Sequence, residues 1–156
     1  MRDTSYFKED LPIILDLDMS KVEIVNSQEL MTWSGFQGEG LILDIYFLSE
    51  KTTDNFLLKT NKQLSPKKER SDWQQFGWEQ TPMDSSIMNY LTEYCLTYCM
   101  DEPEINAYID EIKKTLNRCN IYFSFYYRPN KENPCNIQFF VFDTENKILY
   151  AMDMQD

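Results

Sequence analysis

Near the C-terminus NIYFSFYYR over Asn120–Arg128 alternates with a period of two, and NIQFFVFD over Asn136–Asp143 and KILYAMD over Lys147–Asp153 are strand-like too. Successive side chains on a strand point to opposite faces, so runs of this kind, rich in aromatic and β-branched residues, read as strands. The first sets Ile121, Phe123, Phe125 and Tyr127 against Asn120, Tyr122, Ser124 and Tyr126; the second turns Ile137, Phe139 and Val141 one way. A polar loop over Pro129–Pro134 and the turn Asp143-Thr144-Glu145-Asn146 separate them. Consecutive strands with short connections predict an antiparallel meander.

The stretch before the meander has helical spacing. Thr81-Pro82-Met83-Asp84 is a helix start with Thr81 as N-cap, followed by the stripe Ile87, Leu91, Tyr94, Cys95 and Tyr98. Pro103 opens a second helix, on which Ile105, Tyr108, Ile109, Ile112 and Leu116 share a face. Glu102 and Glu104 suit its positive end, and Lys113, Lys114 and Arg118 its negative end. Helices and strands segregate along the chain, which predicts an α+β fold: an antiparallel sheet carrying the C-terminal meander, with about two helices packed on one face. A length of 156 residues fits one domain, 1–156.

The N-terminal half is less regular. Residues 1–20 read as an irregular arm, because Pro12 argues against a central strand; its apolar patch Leu11-Pro12-Ile13-Ile14-Leu15 should pack on the body. Lys21–Val25 alternates as a short strand, and Ser27–Trp33 either extends it or turns. Leu41–Leu48 is a strand with Leu41, Leu43, Ile45 and Phe47 on one face and Ile42, Asp44, Tyr46 and Leu48 on the other. Asn55–Leu64 fits helix and strand equally, Ser65–Asp72 is a solvated charged loop, and Trp73, Phe76 and Trp78 gather around Gly77 as core or pocket edge.

Three of the four glycines fall in WSGFQGEG, residues 33–40. A phosphate-cradling glycine loop follows a strand and opens a helix. Here a strand follows, no Lys-Ser/Thr pair is present, and Glu39 would repel an anion. The loop is read as a tight connection in which Gly38 or Gly40 takes positive φ.

Charge and composition narrow the function. The net charge is −11, with 26 acidic and 15 basic residues and no histidine. An acidic surface repels nucleic acid and anionic membrane and attracts basic partners. Without histidine there is no Ser-His-Asp or Cys-His catalysis and no HExxH zinc site. No apolar run is long enough for a bilayer and the first residues lack a signal-peptide core, so the cytoplasm is the expected compartment. Cys95, Cys99, Cys119 and Cys135 are then reduced, and they read as small hydrophobes rather than zinc ligands, with no cofactor expected. Asp16 and Asp18 would point the same way in an extended segment, with Glu39 and Asp44 as further carboxylates, which is the material for a carboxylate-dependent enzyme.

Two segments carry a resemblance. GFQGEG running into an apolar strand supplies Gly35, Phe36, Gly38, Glu39 and Gly40; VFDTENKILYAMDMQD supplies Asp143, Thr144, Leu149 and Tyr150. Together they resemble a group of small acidic bacterial proteins with a Gly-Phe-x-Gly-Asp/Glu-Gly loop, similar in character to immunity proteins of polymorphic or contact-dependent toxins. The chain departs from that group at Trp33-Ser34, where the group has a histidine. The resemblance implies a non-enzymatic protein that binds and blocks a cognate toxin domain, for which a basic nuclease is one candidate, in the cytoplasm. The expected partner-binding residues are Asp101, Glu102 and Glu104, with Glu39 as an outlying candidate. A small-ligand or regulatory module around Trp73, Trp78 and the tyrosines is the alternative, and a carboxylate-dependent enzyme stands behind it.

Overall fold

A computed structural model describes residues 7–33, 40–59, 62, 64–65, 73–83, 92, 95–96, 102–128 and 136–155. Six strands form one sheet: β1 (Ile24–Trp33), β2 (Gly40–Leu48), β3 (Gln74–Gln80), β4 (Tyr122–Arg128), β5 (Asn136–Asp143) and β6 (Ile148–Gln155). Their order across the sheet is β1-β2-β6-β5-β4-β3, with every neighbouring pair antiparallel. Three α-helices lie among the described residues: α1 (Leu11–Leu15), α2 (Glu50–Leu57) and α3 (Pro103–Leu116). This is the α+β architecture the sequence predicts, and β4, β5 and β6 are its meander.

The helices cover both faces rather than one. Leu41, Leu43 and Ile45 of β2 join Phe123, Phe125, Ile137, Phe139, Val141 and Met152 on one face, under Ile105, Ile109 and Ile112 of α3. The alternate residues, Tyr46, Leu48, Tyr126, Phe140, Phe142, Leu149 and Ala151, form a second core with Leu11, Ile14 and Leu15 of α1 and Phe56 of α2. The reason lies in the central strands. β5 is apolar at both parities, so water on either face would expose phenylalanines, and a sheet apolar on both sides must be covered on both. Phe125 and Phe139, directly paired across β4 and β5, stack with centroids 4.5 Å apart.

The N-terminal arm is helical where an irregular segment is expected. Phe7 and Leu11 are fully buried, and Pro12 sits in the first turn of α1, where its missing N–H costs nothing. α1 ends at Asp16, whose φ of 52° is left-handed. Ser27–Trp33 extends the first strand, with a bulge between Ile24 and Asn26. Asn55–Leu57, the start of the stretch Asn55–Leu64 that fits helix and strand equally, complete α2, which the Ser49 hydroxyl caps by accepting from the Thr52 N–H at 3.1 Å. β3 is an irregular edge strand whose register shifts between Phe76 and Glu79, around Gly77.

Thr81 is not an N-cap. Its hydroxyl donates to the Arg118 carbonyl and accepts from the Ile121 N–H at 3.1 Å, while its own N–H donates to the Ile121 carbonyl at 2.8 Å. It ties the end of β3 to the entry of β4. Most of the helix expected after it, along with Gly35 and Gly38 of the glycine loop, lies outside the described residues. Gly40 opens β2, paired with Trp33 and Gln155. No helix among the described residues is long and apolar enough to cross a membrane.

Candidate functional site

Of the acidic residues singled out in the sequence, Glu102 and Glu104 lie at the start of α3. Glu102 is the residue before the helix; its side chain makes no capping bond, and its carbonyl accepts from the Asn106 N–H at 3.0 Å. Glu104, in the first turn, reaches sideways to the edge of the sheet. Its carboxylate accepts from the Gln28 amide nitrogen at 2.9 Å, and the Gln28 amide oxygen accepts from the Tyr108 hydroxyl at 2.6 Å. Glu104 and Tyr108 are four residues apart and share a helix face, so one β1 side chain bridges both. Glu104 is exposed. On the opposite face of β1 the exposed Glu29 accepts from the Ser27 hydroxyl at 3.0 Å. The structure therefore ties Glu104 to the edge strand β1, whose Glu29, a residue the sequence did not single out, lies on the other face of the sheet. Gln28 and Tyr108 were missed for the same reason: nothing local links positions 28 and 104. Asp101 and Glu39 lie outside the described residues.

Comparison of the chain with family models, with curated proteins and with solved structures finds no match.

The other sequence candidates fall in different places. Asp16 and Asp18 do not form an extended pair: Asp16 sits on the left-handed turn that ends α1 and ion-pairs with Lys59 at 2.5 Å, and Asp18 precedes a short 3-10 turn. Asp44 is fully buried under α1, where its carboxylate accepts from the Phe7 N–H at 3.2 Å and the Tyr46 hydroxyl at 2.8 Å. Trp78 is a core residue, 7% exposed, whose indole N–H donates to the Ile14 carbonyl at 3.0 Å. Trp73 lies against the Arg128 guanidinium, 5.0 Å from ring centre to cation. Both tryptophans pack with the second core, Trp78 within it and Trp73 against it. An open groove of about 470 Å³ lies elsewhere, at the C-terminal end of α3, lined by Met83, Leu96, Lys113, Leu116 and their neighbours.

Two further groups carry chemistry without forming a site. Cys95 is buried, and burial, reinforced by the negative charge of Asp153, pushes its thiol well above the ordinary range; Cys119 is exposed, and Cys99 and Cys135 lie outside the described residues. Asp153 is buried, with one carboxylate oxygen taking the Gln138 amide at 2.9 Å and the other making no hydrogen bond among the described residues. At the far end of α3, Arg118 bridges Asp143 at 2.8 Å and Glu145 at 2.6 Å, and its hydrogen bond to Asp143 raises its pKa further. Among the described residues no three His, Cys, Asp or Glu side chains gather as a metal site would require.

Proposed function

We propose that this chain is a cytoplasmic immunity protein that binds and blocks a cognate bacterial toxin domain of basic character. The observation that carries the reading is the placement of Glu104. A surface carboxylate is held by Gln28 at the sheet edge, on a chain of net charge −11. A carboxylate already fixed in direction loses less freedom when a lysine or arginine meets it, and a field of one sign raises the encounter rate with a basic surface by about 10–10³-fold. Inhibition by occupancy asks for no catalytic group. It asks for a stable scaffold, here a sheet with cores on both faces, and for a complementary surface.

The test is coexpression of this chain with the C-terminal domain of a toxin encoded by an adjoining gene. The expected result is a stable complex that copurifies and restores growth to cells making the toxin domain. Growth arrest that persists, together with no complex on gel filtration, would remove the proposal.

A further inference from the structure

The hydrogen-bond phase of the sheet tells which backbone groups of β1 face outward. The Leu48 N–H donates to the Lys147 carbonyl at 2.9 Å, so the even-numbered residues of β2 bond toward β6. Its odd-numbered residues therefore bond toward β1, where their partners are Asn26, Gln28, Leu30 and Thr32. The residues between them, Ser27, Glu29, Met31 and Trp33, turn their N–H and C=O groups away from the sheet. The Ser27 N–H is taken by the Asn26 side chain at 2.9 Å, as this phase requires. β1 ends the sheet on this side, and the outward groups of Glu29, Met31 and Trp33 have no backbone partner among the described residues. The opposite edge is different: on β3 the Trp78 N–H is already taken by the Lys62 carbonyl at 2.8 Å.

An open edge of this length is a template for another strand. Regular pairing in β1 runs without interruption from Asn26 to Trp33, longer than the five or six residues of a typical strand. Charge decides what the edge accepts. Side chains of β1 alternate in direction, so Glu29 flanks the open edge on one face and Glu104, tied to Gln28, on the other. A second copy of this chain pairing through β1 would bring these glutamates against their own kind, on two molecules each of charge −11. A strand that carries lysine or arginine on both of its faces meets a carboxylate on each.

We propose that β1 docks an extended, lysine- or arginine-bearing segment of a partner protein by strand addition, with Glu29 and Glu104 selecting the basic side chains on its two faces. The existence of the docking edge stands on the sheet geometry; identifying the partner as a toxin domain rests on the proposed function.

Two probes separate these. The first is a capped synthetic peptide of alternating lysine and valine, added at low salt while amide hydrogen exchange is followed residue by residue. Slower exchange at the Glu29, Met31 and Trp33 amides is expected, with a glutamate–valine peptide leaving them unchanged. The double variant E29K with E104K, whose two sites are exposed and whose melting point is recorded alongside, should weaken lysine-peptide binding at least tenfold. The inference is overturned if the lysine peptide leaves the β1 amides unprotected, if both peptides protect them equally, or if protection appears with rising protein concentration and no peptide, which would mean self-pairing. The second probe is the toxin domain itself. If it binds and protects the same amides, both proposals stand. Binding without protection at β1 overturns strand addition and leaves the immunity reading intact. A protecting lysine peptide beside a toxin domain that does not bind removes the immunity reading and keeps the edge.

Discussion

The amide of Gln28 in the edge strand donates to the carboxylate of Glu104 at the start of α3, joining two residues 76 positions apart. Gln28→Ala removes this bond and the one from Tyr108, and should lower stability by about 1 kcal/mol per lost bond, measured as a shift of the urea midpoint. Glu104→Gln keeps an acceptor oxygen and should leave stability within about 0.5 kcal/mol, while slowing association with a basic toxin domain at low salt more than at high salt. A stability loss in Glu104→Gln with unchanged association would make the glutamate purely structural.

Thr81 offers a sharper stability test. Its side chain is buried and serves both the Arg118 carbonyl and the Ile121 N–H. Thr81→Val preserves shape but takes the hydroxyl from the buried Ile121 N–H and the part-buried Arg118 carbonyl, at a cost of about 2–4 kcal/mol. Thr81→Ser retains the hydroxyl and should recover most of that. If valine and serine prove equally mild, the hydroxyl does not hold β3 to β4.

The second core can be tested on α2 alone. Phe56 is fully buried, with its ring 5.2 Å from those of Trp78 and Tyr122 and 4.9 Å from that of Phe142. Phe56→Ala should cost about 3–5 kcal/mol. Leu58, 79% exposed at the end of the same helix, should tolerate glutamine within about 0.5 kcal/mol. Chemical denaturation of the two variants reads both values, and equal effects would place α2 off the sheet.

Alkali should destabilise the protein in a defined order. Burial raises the Cys95 thiol from its ordinary value of 9.0, with Asp153 adding to it. Burial also raises the hydroxyls of Tyr126 and Tyr150 above their ordinary 10.0, aided by Asp10 for the first and opposed by a bond to Thr115 in the second. Each group keeps its proton in the fold at a pH where the unfolded chain has lost it. The folded state then binds more protons, so stability falls as pH rises. The contributions are whole below pH 9, and the loss begins there with the thiol and steepens near pH 10 with the tyrosines. In Cys95→Ala the decline should start about one unit later in a series of urea melts. Native alkylation at pH 8 followed by peptide mass analysis should label Cys119 and spare Cys95.

Periodicity is local, and what it encodes could be read directly. The strand-like runs over 120–128, 136–143 and 147–153 mark β4, β5 and β6, and the spacing Ile105, Ile109, Ile112 marks the buried face of α3. Each signal needs only neighbours in sequence, because the chain's own geometry turns spacing into a face. The second covered face was also written locally, in the Phe-Phe-Val-Phe run of β5, where both parities are apolar. The N-terminal arm shows the limit of that logic: Pro12 rules out a central strand and equally permits a helix start, and only the cavity over Asp44 and Phe140, where Phe7 sits, chooses between them. The tertiary structure alone decided that β6 lies between β2 and β5, which joins the N-terminal hairpin to the meander and leaves β1 as an edge. It alone decided that Gln28 meets Glu104. Such pairings depend on which apolar faces can be buried together across tens of residues, a competition among all the elements at once that no short stretch of sequence can express.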